Sequence, residues 1–132
     1  MVADDRLYEY AVVRYVPRVD REEFINIGLL MMCKRRKWMR GEIRIDKNRL
    51  TAFDSNTNFD HLLTQASVFT RKDVPSSDLP VEERYRWLSA VKSAVLQVSP
   101  SHPGIIPEST STIEDDDYLN AEFDRLIKEL VL

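Results

Sequence analysis

The sequence predicts an α+β fold: a three-stranded antiparallel meander, admitting one added strand, packed against about three helices. Three observations lead there. The first third of the chain holds segments rich in Val, Ile and Tyr, the composition of strands. The links between those segments are much too short for the crossover that a parallel pair requires. In the remainder, apolar residues recur at helical spacing. All 132 residues are assigned to a single domain, with the meander in 1–49 and a mainly helical part in 50–132, interrupted by a Pro-rich loop near 99–117.

The first strand is "LYEYAVVRYV", Leu7 to Val16, closed by Pro17, which has no amide to give to a ladder. After the polar turn "PRVDREE", Phe24 to Cys33 forms the second strand; after "KRRK", the segment "WMRGEIRID" alternates with period two and forms the third. Centring the first turn on Asp20 sets Arg14 opposite Asn26 and Ala11 opposite Leu29, and the second hairpin sets Leu29 opposite Gly41. One face then gathers Leu7, Ala11, Val13, Tyr15, Ile25, Ile27, Leu29, Met31, Cys33, Met39, Gly41, Ile43 and Ile45, with Glu9 near the edge, and this is the predicted core. The other face carries Tyr8, Tyr10, Arg14, Asn26, Gly28, Leu30, Met32, Trp38, Arg40, Glu42 and Arg44. Asn26 lies there between Arg14 and Arg44, with Glu42 next to it, so a polar cluster is expected in the middle of that face. Either it is a satisfied network beneath a covering helix, or it is part of an exposed interaction surface with Tyr8, Tyr10 and Trp38.

The helices follow. Phe59, Leu62, Leu63, Ala66 and Phe69 share one stripe, with Thr57 or Asn58 as N-cap. "SSDLPVEERYRWLSAVKSAVLQV" reads as a helix capped by Asp78, with Pro80 in the first turn, a stripe of Val81, Tyr85, Leu88, Val91 and Val95, and Trp87 widening it. A last helix follows "EDDDY", where Leu119, Phe123, Leu126, Ile127 and Leu130 form an apolar face; the acids Glu114 to Asp117 at its start complement the macrodipole. Between these two helices, "SPSHPGIIPESTSTIEDDD" is predicted to be a long loop.

Composition narrows the function classes. Apolar residues make up 43% and charged residues 31%, an ordinary balance for a soluble domain. Cys33 is alone, which excludes an internal disulfide and fits a reducing compartment, and the acidic start lacks the pattern of a signal peptide, so a cytoplasmic protein without a membrane span is expected. Net charge is −3, with 12 Lys/Arg against 8 Asp/Glu in residues 1–49 and 7 against 14 in 50–132. A balance of that kind does not predict a nucleic-acid binder, and "KRRK" reads as a solvated hairpin tip. His61 and His102 have no carboxylate or Cys at metal-ligand spacing. With no nucleophile beside a base and no Gly-rich phosphate loop, no catalytic residue, metal or cofactor is assigned.

Two functions of different class remain. One is a non-enzymatic interaction or regulatory module that binds a protein partner or a second copy of itself through the second sheet face. The other is a small enzyme or a nucleotide- or nucleic-acid-binding protein built on Arg14, Asn26, Glu42, Arg44 and His102. Three stretches, "YEYAVVRYVPRVDREEFINIGLLMM", "SPSHPG" at 99–104 and the closing "DRLIKELV", resemble in order and spacing the bacterial family called domain of unknown function 3037. The resemblance brings no assigned activity. It implies a bacterial cytoplasmic protein whose family genes lie beside genes for kinases of the persistence-toxin type, and hence a kinase as a partner. Between Pro107 and Tyr118 the chain departs from the family pattern, with "ESTSTIEDD" in place of a shorter acidic link.

Overall fold

The computed structural model describes residues 6–70, 79–90, 95–107 and 117–132. Strands β1 (Leu7–Arg18), β2 (Glu23–Cys33) and β3 (Trp38–Ile43) form the expected antiparallel meander. The other edge of β1 is occupied by two short strands laid end to end, β4 (Leu96–Val98) beside Val13 to Tyr15 and β5 (His102–Ile105) beside Leu7 to Tyr10. Among the described residues there are four α-helices: α1 (Lys47–Phe53), α2 (Phe59–Ala66), α3 (Val81–Ser89) and α4 (Asp117–Leu130). Leu50 of α1, Leu62 and Ala66 of α2, and Tyr85 and Leu88 of α3 pack on one sheet face around Ala11, Val13 and Leu30. On the opposite face, Leu119, Phe123 and Ile127 of α4 pack around Val12, Leu29 and Met31. The sheet is thus buried on both sides.

That double burial explains the one correction to register. Arg14 and Asn26 are cross-strand partners as expected, with Ile27 on the opposite face. Beyond them, however, Val13 pairs with Gly28, Ala11 with Leu30, and Leu29 with Glu42, each one residue away from the predicted alignment. Between β1 and β2 a β-bulge causes the shift: Ile27 is the extra residue between the Val13–Gly28 and Arg14–Asn26 pairs, and past it β2 exchanges its faces. Between β2 and β3 the offset is uniform from Gly28–Ile43 to Cys33–Trp38 and is set by the turn, where Lys37 N donates to Lys34 O. Leu29, Met31 and Cys33 therefore lie against α4, on the same face as Arg14, while Leu30 and Met32 lie in the α1–α3 core. A strand covered on both faces is apolar at every position, and alternation then carries no register. The bulge also requires a glycine, since a Cβ at residue 28 would stand 2.5 Å from Ile43 Cδ1 and 2.7 Å from the Glu42 carbonyl oxygen.

The second correction concerns residues 95–107. The predicted helix through Val95 and on to Val98 ends at Ser89, and Leu96–Val98 is a strand with Leu96 fully buried. Likewise His102 belongs to a strand, not a loop. Both segments cover the second edge of β1, which would otherwise expose its backbone groups. At the joint between them, the Ser99 hydroxyl replaces a ladder carbonyl: Val12 N donates to Ser99 Oγ at 2.9 Å, while Ser99 N donates to Val12 O at 2.9 Å. Ile106 N donates to Arg6 O, which by strand alternation turns the position of the amide that Pro103 lacks to the outer edge, where none is needed.

Asn58 caps α2 as expected, accepting from His61 N at 3.1 Å. Asp46 caps α1. The expected contributions of Asp78, Val91 and Glu114 to Asp116 lie outside the described residues. No helix among the described residues is long and apolar enough to cross a membrane.

Candidate interaction surface

The structure does not bring the predicted polar cluster together as one site. Asn26 serves the end of α4: its Nδ2 donates to Leu130 O at 2.9 Å, while Arg49 Nη1 donates to Val131 O at 2.6 Å and to Asn26 O at 3.0 Å. These bonds satisfy carbonyls that a helix C-terminus leaves open. Asn26 Oδ1 is buried without a partner. Arg14 does not join Asn26 in a bond; its guanidinium lies 4.1 Å over the Phe24 ring. Glu42 accepts from Arg40 at 3.0 Å and from Arg44 at 2.5 Å. Arg40 extends that group to α4, reaching Asn120 and Asp124 at 3.2 Å and lying 4.2 Å over the Phe123 ring.

Tyr8 and Tyr10 lie at the opposite end of this face. Tyr8 Oη donates to Glu122 Oε2 at 2.6 Å, and Arg125 grips the same carboxylate with bonds of 2.6 and 3.0 Å. Burial, with the bond to Glu122, pushes the Tyr8 phenol well above its ordinary range, whereas the Arg125 guanidinium holds Glu122 below the usual carboxylate value. Gly104 makes room for this ring, because a Cβ there would run into Tyr8. Tyr10 lies between Tyr8 and His102, with ring centroids 6.1 and 5.3 Å away. Trp38 is half-buried against the α4 core. Of the two alternatives for this face the structure shows the covered one: α4 packs over it, and Asn26, Arg40 and Tyr8 bond to that helix, while Arg14 Nε and Asn26 Oδ1 are buried without a hydrogen-bond partner among the described residues.

An open surface lies on the other face, at the end of the sheet. A cleft of about 900 Å³ is lined by Leu7, Glu9, Met32, Lys34, Arg35, Pro103 and Ile105, and at the sheet end also by Tyr8, one of the predicted site residues, and Gly104. Leu7, expected on the core face, is corrected here: at the start of β1 no described helix residue of that core reaches it, and it and Ile105 are 42% and 55% exposed, large apolar side chains left to solvent at the sheet margin. Helix α3 bounds the cleft through two ion pairs, Lys34–Glu82 at 2.9 Å and Arg86–Glu9 at 2.7 Å. Each pair leaves an electrostatic mark: Lys34 lowers the Glu82 pKa, and Glu9 raises that of Arg86. Ser101 Oγ donates to Glu9 at 3.0 Å and lies 2.8 Å from Tyr85 Oη, joining β5 to α3. On the far side of those ion pairs a second hollow, about 660 Å³, is lined by Leu79, Pro80, Glu82, Glu83, Arg86 and Trp87. Leu79 is 38% and Trp87 40% exposed.

Sequence reasoning missed this surface because it joins β1, the β2–β3 turn, β5 and α3, which are far apart in the chain. The one local signal is Trp87, which widens the α3 stripe beyond what the core takes up. Among the described residues no group of three or more His, Cys, Asp or Glu is arranged to hold a metal ion.

Fold and surface together define an α+β fold, an antiparallel sheet covered on both faces by helices with an apolar cleft left open at one end. The family model described as "Protein of unknown function (DUF3037)" matches residues 10–131, and the chain belongs to that family. No curated protein and no solved structure matches it.

Proposed function

We propose that the chain is a non-enzymatic protein-interaction module of the bacterial cytoplasm, and that it binds through the cleft at the end of the sheet. The observation that carries this reading is the pair of exposed apolar walls, Leu7 and Ile105, facing a cleft large enough for several side chains and edged by ion pairs. An apolar centre with a charged and polar rim is the usual anatomy of a protein interface. A desolvated apolar anchor contributes most of the affinity, while exposed rim charges contribute little by themselves. The bonds that Asn26 and Arg49 make to the end of α4, and the Arg40–Glu42 pair that reaches the same helix, support the same reading, since they serve to hold α4 on the sheet. A kinase is the candidate partner that the family resemblance implies.

The test is affinity capture from a bacterial lysate with wild-type chain and an Ile105→Asp variant as baits, followed by mass spectrometry. Ile105 is more than half exposed, so the variant is expected to fold, which circular dichroism checks. Proteins held by the wild type and lost from the variant are the expected result. An identical set on both baits, or none on either, would overturn the assignment of binding to this cleft.

A further inference from the structure

The two hollows flanking α3 differ in charge, and the difference is self-complementary. The larger is lined by two cations, Lys34 and Arg35; its one acid among the described residues, Glu9, is matched by Arg86 and Ser101. The smaller is lined by two acids, Glu82 and Glu83, against one cation, Arg86, and by two part-exposed apolar groups, Leu79 and Trp87. Among the described residues the α3 ridge, with its two ion pairs, lies between them.

We propose that a second copy of this chain docks on this surface, related by a twofold axis near α3. Rotation about such an axis sets the Trp87 and Leu79 edge of each copy into the Leu7, Met32 and Ile105 cleft of the other. It brings Glu82 and Glu83 of each to Lys34 and Arg35 of the other. A twofold interface demands this property, that one patch match itself when turned over. Trp is also the residue type most enriched among interface anchors. The internal Lys34–Glu82 pair is no obstacle, because Lys34 is 77% exposed and a surface ion pair of that kind is exchanged at little cost. A foreign partner would need to supply both an acidic edge and a large apolar anchor at the right separation, whereas the chain carries both itself.

This inference rests on the cleft being a protein-binding surface, and the experiment separates the two. Sedimentation velocity at about 100 µM, above the micromolar dissociation constants of the weaker interfaces of standard size, is expected to show the wild type at twice its 15.4 kDa monomer mass. The charge-reversed variants K34E/R35E and E82K/E83K each set like charges across the interface, which should raise the dissociation constant about 100-fold or more. Each alone is expected to sediment as a monomer with an unchanged circular dichroism spectrum. Mixed in equal amounts they restore complementarity on both halves of the interface, and the dimer mass returns. The Trp87→Ala variant, changed at an exposed position, is expected to be a folded monomer. A wild-type monomer at that concentration, a dimer that survives both reversals, or a mixture that stays monomeric would each overturn the proposal. If the wild type is monomeric while Ile105→Asp still loses a captured protein, the surface binds a foreign partner and only the dimer is refuted.

Discussion

Replacing Gly28 by alanine tests the bulge that sets the faces of β2. The backbone there is not in the left-handed region, so alanine meets no dihedral barrier and the whole effect is steric. Its methyl carbon would stand 2.5 Å from Ile43 Cδ1 and 2.7 Å from Glu42 O. The first contact can be eased by turning the Ile43 side chain; the second is with the backbone of β3, which the ladder from Gly28 to Cys33 holds in register. Overpacking of this kind costs about 1–3 kcal/mol. Against that, alanine lowers the entropy of the unfolded chain and returns about 0.4–1 kcal/mol. At the middle of both ranges the net loss is about 1.3 kcal/mol, which with a mid-range urea m-value of about 2 kcal/mol/M moves the midpoint down by about 0.65 M at constant m. Adding Ile43→Val, which removes the Cδ1 atom, should recover part of the loss and leave the part due to the carbonyl. Urea denaturation followed by tryptophan fluorescence measures both variants. A Gly28→Ala protein as stable as the wild type would show that the close approach of β2 and β3 at the bulge is not what excludes a side chain there.

Two further expectations concern the covered faces. Ser99→Ala removes the acceptor of the Val12 amide at a site where Ser99 is 4% and Val12 7% exposed, so it should cost about 1–3 kcal/mol and speed hydrogen exchange at Val12; unchanged stability and exchange would dismiss the hydroxyl as a ladder substitute. Glu122 has a folded-state pKa below its ordinary 4.5, so the stability it contributes is present above that value and is lost as pH falls through the lower folded value. Glu122→Gln should therefore be less stable than the wild type near neutrality, with the gap closing below about pH 4.5; a gap constant between about pH 7 and about pH 3 would refute the Arg125 pairing as its source.

Sequence alone determined the parts of this protein whose signals are local. The α+β class, the meander, the Asn58 cap, the apolar face of α4 and the Arg14–Asn26 pairing all follow from periodicity, capping chemistry and a short turn. Asn26, a lone polar residue in an apolar run, was legible as a group needing partners, but its partner is a carbonyl 104 residues further along the chain. Tertiary structure decided the rest. The bulge at Ile27 could not be read because a strand buried on both faces has no alternation to reveal a slip. Strands β4 and β5 are three and four residues long and owe their form to the uncovered edge of β1, not to their own propensity. Which face stays open was likewise settled by packing: α4 covers the face that looked like a binding surface, and the cleft beside Leu7 and Ile105 exists only where β1, β5, the β2–β3 turn and α3 converge.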